Sequence, residues 1–138
     1  MIHSKLILDI FDLMADGYEF AGLLLGQIPH LTEAKFDHTG LGLFVTFSHN
    51  SEVESYRILA DFNGTTKKEG VNSRLNGVEM RNEALGILAD ADIVLTNGIV
   101  DYLEVFNKIG EDFPLEMPKN YDLHQIWLGP AKARVIKR

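Results

Sequence analysis

The sequence has no cysteine among its 138 residues. That excludes disulfide staples, thiolate nucleophiles and cysteine-based metal or redox centres. It also lacks a long unbroken apolar run. The stretch from Leu6 to Leu25 is interrupted by Asp9, Asp12, Asp16 and Glu19, and a span of about 20 residues does not tolerate four acids. The basic start and small-residue cleavage site of a secretory leader are missing too. The chain therefore reads as cytoplasmic, with no membrane contact.

Catalytic signatures are equally scarce. Gly40-Leu41-Gly42 lacks the third glycine and the following helix of a dinucleotide loop, and no G-x-x-x-x-G-K-S/T occurs. No G-x-S-x-G surrounds Ser48, Ser51, Ser55 or Ser73. Of the five histidines, His38 and His49 fall at opposite ends of one expected hairpin, about 26 Å apart at strand rise. Asp122 and His124 can share a strand face, but no nucleophile is identifiable beside them. No catalytic residue, metal site or cofactor is assigned, and the expectation is a protein that is not an enzyme.

Cations are few: 13 Lys and Arg face 20 Asp and Glu, a net charge of −7. Four of those cations (Lys132, Arg134, Lys137 and Arg138) crowd the last seven residues. Such an acidic body repels phosphate backbones and suits a basic protein partner rather than nucleic acid.

Hydrophobic residues make up 46% and charged residues 24%, which fits a single globular domain over residues 1–138. Leu6, Ile7, Ile10, Leu13 and Met14 follow helical spacing over residues 4–16, with Ser4 as N-cap and Gly17 as stop. That stripe predicts buried Ile10 and Leu13, with Asp9 and Asp12 in solvent. A second short helix is expected over Tyr18 to Gln27, ending before Pro29.

The period then becomes two. A two-residue loop at Thr39-Gly40 would set His38 opposite Leu41 and Phe36 opposite Leu43. One face would carry Phe36, Ala34, Leu41, Leu43, Val45 and Phe47, and the other Asp37, Lys35, Glu33, Thr46 and Ser48. Residues 50–74 are ambiguous. Ser51 with Glu54 has the form of a capping box, whereas alternation of Tyr56, Ile58, Ala60 and Phe62 favours an edge strand, the preferred reading. Asn63 to Gly70 reads as a loop and Arg74 to Met80 as a strand.

Asn97-Gly98 is a type I′ hairpin signal. Regular pairing across it places Val100, Tyr102, Glu104 and Phe106 with Leu95, Ile93, Ala91 and Ala89 on the core face. Asp90, Asp92 and Asp101 then gather on the opposite face. A helix over 99–107 is the competing reading. Tyr121, Leu123, Gln125 and Trp127 suggest a last strand. The expected fold is α+β: an N-terminal helical segment packed on an antiparallel meander sheet of about five to six strands.

Two stretches carry a family resemblance. His38-Thr39-Gly40-Leu41-Gly42-Leu43-Phe44-Val45-Thr46-Phe47 is one. The other runs from Ile93 to Pro114, with Asn97-Gly98, Tyr102-Leu103-Glu104-Val105-Phe106 and Gly110. Together they resemble a loose group of small bacterial α+β proteins, some of them suspected immunity proteins of polymorphic toxin systems. Asp90-Ala91-Asp92 departs from that group, where a Gly-aromatic pair is usual. The resemblance implies a meander fold and offers no catalytic residues.

Two candidate sites follow. Asp90, Asp92 and Asp101 form an acidic face suited to a basic partner. Glu104, with Tyr102 beside it, is a carboxylate on an otherwise apolar face, and Arg74, Arg81 or Lys108 could pair with it. The leading expectation is a non-enzymatic protein-interaction module, with toxin neutralisation as one form. The alternative is a small-molecule-binding or hydrolytic protein with a pocket around Glu104. A homodimer formed through an open sheet edge is a third arrangement.

Overall fold

A computed structural model describes residues 1–60, 66–110, 112–126 and 132–138. The Ser4 hydroxyl accepts the Ile7 amide at 3.2 Å and starts helix α1 (Lys5–Ala15), which Gly17 ends with φ +84°. Ile10 and Leu13 are fully buried, as the stripe requires, and Asp12 is exposed. Asp9 is a correction: it is 4% exposed, not in solvent. Helix α2 (Ala21–Gln27) follows, shorter than expected at its start, and a 3-10 turn (Ile28–His30) carries Pro29.

Strand β1 (Leu31–His38) pairs with β2 (Gly42–His49), and His38 lies opposite Leu43 rather than Leu41. The connection is therefore longer than two residues, with Gly40 at φ +87°. Phe36 still shares a face with Val45, because a two-residue shift preserves alternation. A bulge at Ala34 then moves Glu33 opposite Phe47, away from the polar face predicted for it. There its carboxylate accepts the backbone amides of His3 and Ser4, both at 2.9 Å.

Residues Ser51–Tyr56 form a 3-10 helix capped by the Asn50 side chain, and among the described residues before Ser73 an isolated bridge between Ala60 and Thr66 follows. The strand preferred over Tyr56 to Phe62 does not form over its described part: Tyr56 ends the 3-10 helix and Ala60 makes a single bridge, while Phe62 and part of the 63–70 loop lie outside the described residues. Strands β3 (Ser73–Asn82), β4 (Ile87–Thr96) and β5 (Ile99–Asn107) form the central meander. Strand β6 (Asp122–Gln125) confirms the last predicted strand over its described part, although Trp127 lies outside the described residues. The three-residue β7 (Val135–Lys137) was not anticipated.

All seven strands join one antiparallel sheet in the order β1-β2-β5-β4-β3-β6-β7. The first hairpin thus docks on β5, bringing Leu43 opposite Val105 and Val45 opposite Leu103. Helix α1 packs over β3 and β6, and α2 over β5. Between helices and sheet lie Leu43, Val45, Ala91, Ile93, Leu103, Val105, Val78 and Met80, each at most 1% exposed. One sheet face is covered by helices, and among the described residues the other carries none.

Candidate functional site

The Asn97-Gly98 turn forms as its chemistry demands, with φ +53° and +77° and Thr96 opposite Ile99. The faces beyond it are a correction. Leu95 pairs with Val100, yet Val94 pairs with Tyr102, so Asp101 is an extra, bulged residue. The bulge inverts the alternation of β5. Leu103 and Val105 enter the core, while Tyr102, Glu104 and Phe106 join Asp90 and Asp92 on the uncovered face.

Asp101 leaves the expected acidic trio. Its carboxylate accepts the Thr96 hydroxyl at 2.8 Å and lines a separate depression with His49, Glu54 and Arg57. Asp90 and Asp92 are half-buried rather than freely solvated. Glu104, opposite Asp92, is half-buried as well and sits among polar groups, not on an apolar core face.

Two ion-pair networks organise the uncovered face. Arg74 reaches Asp92 at 2.8 Å and Glu104 at 3.0 Å. One guanidinium serves two carboxylates, leaving an excess negative charge, and the Asp92 hydrogen bond foremost raises the Arg74 pKa. Beside it, Lys108 and Arg81 each lie 2.6 Å from the buried Glu79. Burial pushes the Glu79 carboxyl up, but these two cations outweigh it and hold the group below the usual glutamate value. Lys108 also approaches Asp90 Oδ1 at 3.0 Å, close enough for attraction but outside hydrogen-bond alignment.

Aromatic rings flank the charges. Phe44, opposite Glu104, has its ring centre 5.8 Å from that of Tyr102, and Phe106 is 47% exposed. A depression of about 470 Å³ opens between Glu104, Asp92, Asp90, Phe106, Asn76 and Ile126. Among the described residues, its lining includes no histidine, serine or threonine. His124 is on the same sheet face but lies opposite Glu79, three strands from Glu104, with its pKa lowered by burial and then by Arg81. The carboxylates of the depression can hold a cation or accept hydrogen-bond donors.

Of the three cations expected as partners of Glu104, Arg74 binds it, while Arg81 and Lys108 pair with Glu79 instead. Phe44 was missed as a site residue. Its signal was available: it breaks the otherwise polar alternation of Thr46 and Ser48 with a large ring. Comparison of the chain with protein-family models, curated proteins and solved structures gives no match.

Proposed function

We propose that the chain is a non-enzymatic protein-interaction module that presents its uncovered sheet face to a cationic protein partner. The observation that carries this reading is the cluster of Phe44, Tyr102 and Phe106 around Asp92 and Glu104, two carboxylates sharing one Arg74 guanidinium. Aromatic anchors ringed by charges have the anatomy of a binding patch, and the excess carboxylate favours a lysine or arginine from the partner. The sheet edges are less inviting. Strand β1 has a bulge and exposed Lys35 and Asp37, and β7 is only three residues long; both features blunt an edge. Toxin neutralisation is the form of this function that the sequence resemblance implies.

The test compares wild type with a Tyr102→Ala/Phe106→Ser variant as immobilised baits in lysate of the source cells, followed by titration with any retained polypeptide after purification. The reading requires a partner bound by wild type and at least tenfold more weakly by the variant. Indistinguishable binding sets for the two baits overturn it. The depression at Glu104 supports one rival, a small cationic ligand. That rival predicts saturable binding of a simple organic diamine such as cadaverine, lost in Glu104→Gln, with no polypeptide retained.

A further inference from the structure

A second cavity, of about 490 Å³, lies away from the uncovered face, where α1 begins and β1 ends. Its walls are mainly apolar: Leu6, Phe36, Met117, Pro118 and Tyr121. Leu6 and Tyr121 are buried, while Phe36 is 44% exposed although it occupies a core-facing position opposite Val45. A large ring left half in water at such a position gains by covering.

The polar lining is asymmetric in charge. Its acid, Glu33, already accepts the amides of His3 and Ser4. Arg138 is held by Asp9 in two bonds of 2.9 Å. Lys119 has no ion-pair partner among the described residues, and Lys5 has only Asp9 at 3.7 Å. Arg57, Arg74, Arg81, Lys108 and Arg134, by contrast, all sit directly against carboxylates. The cavity therefore combines an apolar floor with the Lys119 ammonium, unpaired among the described residues, and a Lys5 ammonium held only loosely by Asp9.

We propose that this cavity binds a small carboxylate with an apolar tail. The tail covers Phe36, Leu6 and Met117, and the carboxylate lies between Lys119 and Lys5. The volume falls within the range of small-molecule sites. An amine of equal length is disfavoured, because Glu33 is already engaged by two backbone amides and the lining cations Lys5, Lys119 and Arg138 outnumber it.

The proposal is independent of the protein-partner reading, since the two sites share no residue. Its test is an amide-resonance titration of the full chain with octanoate, octylammonium and octanol in parallel. Octanoate should give saturable shifts at His3 to Leu6, Phe36 and Met117 to Lys119. Lys119→Glu should weaken it at least fivefold, and Phe36→Asp by a similar factor; both residues are exposed, and the unliganded spectra verify their folding. Phe106→Ser, on the opposite sheet face, should leave octanoate binding unchanged. Equal binding of octylammonium overturns the proposal. So does an absence of saturation, or an octanoate affinity indifferent to both cavity substitutions.

Discussion

The Arg138 guanidinium grips Asp9 through two hydrogen bonds, Nε to Oδ2 and a terminal nitrogen to Oδ1, both at 2.9 Å. The Tyr121 hydroxyl donates to the same carboxylate at 2.7 Å. Asp12, one turn further along α1, and Asp16, just past its end, receive Arg134 at 3.1 and 3.3 Å. The basic end of the chain is thereby spent on the acidic side of its own first helix. This zipper fastens β7 and explains how Asp9 can be buried at all, since an ionised carboxylate without partners is costly to desolvate.

Acid sensitivity follows from that burial. Desolvation pushes the Asp9 carboxyl up, but Arg138, Tyr121 and Lys5 together hold it below the ordinary aspartate value. Its folded value is depressed, so on acidification the unfolded chain takes the proton first. The stabilisation is complete above about pH 4, the unfolded value, and is lost as pH falls through the lower folded one. Glu79 contributes in the same sense. Urea melts between pH 3 and 7 should show stability falling at the acid end, with a shallower fall in Asp9→Asn. At pH 7, Asp9→Ala should cost about 1–3 kcal/mol, the penalty for orphaning a buried donor such as the Tyr121 hydroxyl.

Gln27 is fully buried and spends its amide on backbone. Nε2 donates to the carbonyls of Tyr56 and Gly98, and Oε1 accepts the Val100 amide. Gln27→Leu keeps the volume but strands these groups, at about 1–3 kcal/mol each. Thermal denaturation should reveal the loss, and the Val100 amide should exchange faster with solvent. Unaltered protection at Val100 would falsify the assigned role.

At the turn, Gly98 combines φ +77° with a position where a Cβ would overlap the Ile58 carbonyl oxygen. Gly98→Ala should therefore destabilise by more than about 1 kcal/mol. Asn97→Gly, which retains the turn's preferred dihedrals, should stay within about 0.5 kcal/mol. Chemical denaturation of the two variants checks the order.

Ile10 has no exposed surface and points from α1 into the core. Ile10→Ala should cost about 2–5 kcal/mol in denaturant melts, as buried large-to-small changes do. A midpoint near that of wild type would mean that the helix does not pack through this stripe.

On the uncovered face, replacing Asp90 and Asp92 together by asparagine should shift stability by less than about 1 kcal/mol, because their cationic partners remain partly hydrated. With a cationic partner in hand, the same change should slow association more than it hastens dissociation, and added salt should reproduce the effect in wild type. Association rates measured against ionic strength decide this; equal salt slopes would remove the electrostatic role.

The site was legible only in part, and one residue shows why. Asn97-Gly98 was readable because its dihedral demand is local. Alternation then seemed to pair Tyr102, Glu104 and Phe106 with the core row of β4. A single bulged residue, Asp101, reverses that assignment. A clue was present: Leu103 and Val105 are wholly aliphatic, and only a one-residue slip sets them against Ala91 and Ile93. Val100, on the turn side of the slip, keeps the regular partner Leu95 and donates its amide to Gln27, 73 residues earlier in the chain.

The sequence by itself determined the elements whose causes lie within a few residues: the Ser4-capped helix, its Ile10 and Leu13 stripe, the Asn97-Gly98 hairpin and the α+β class. Tertiary structure alone decided how these elements meet. It set β2 against β5, buried Asp9 beneath Arg138, and turned Glu104 to the uncovered face. The physical reason is distance along the chain. Dihedral preferences and periodicity act between neighbours, whereas the choice of which strand, charge or face becomes buried depends on partners supplied from elsewhere in the fold.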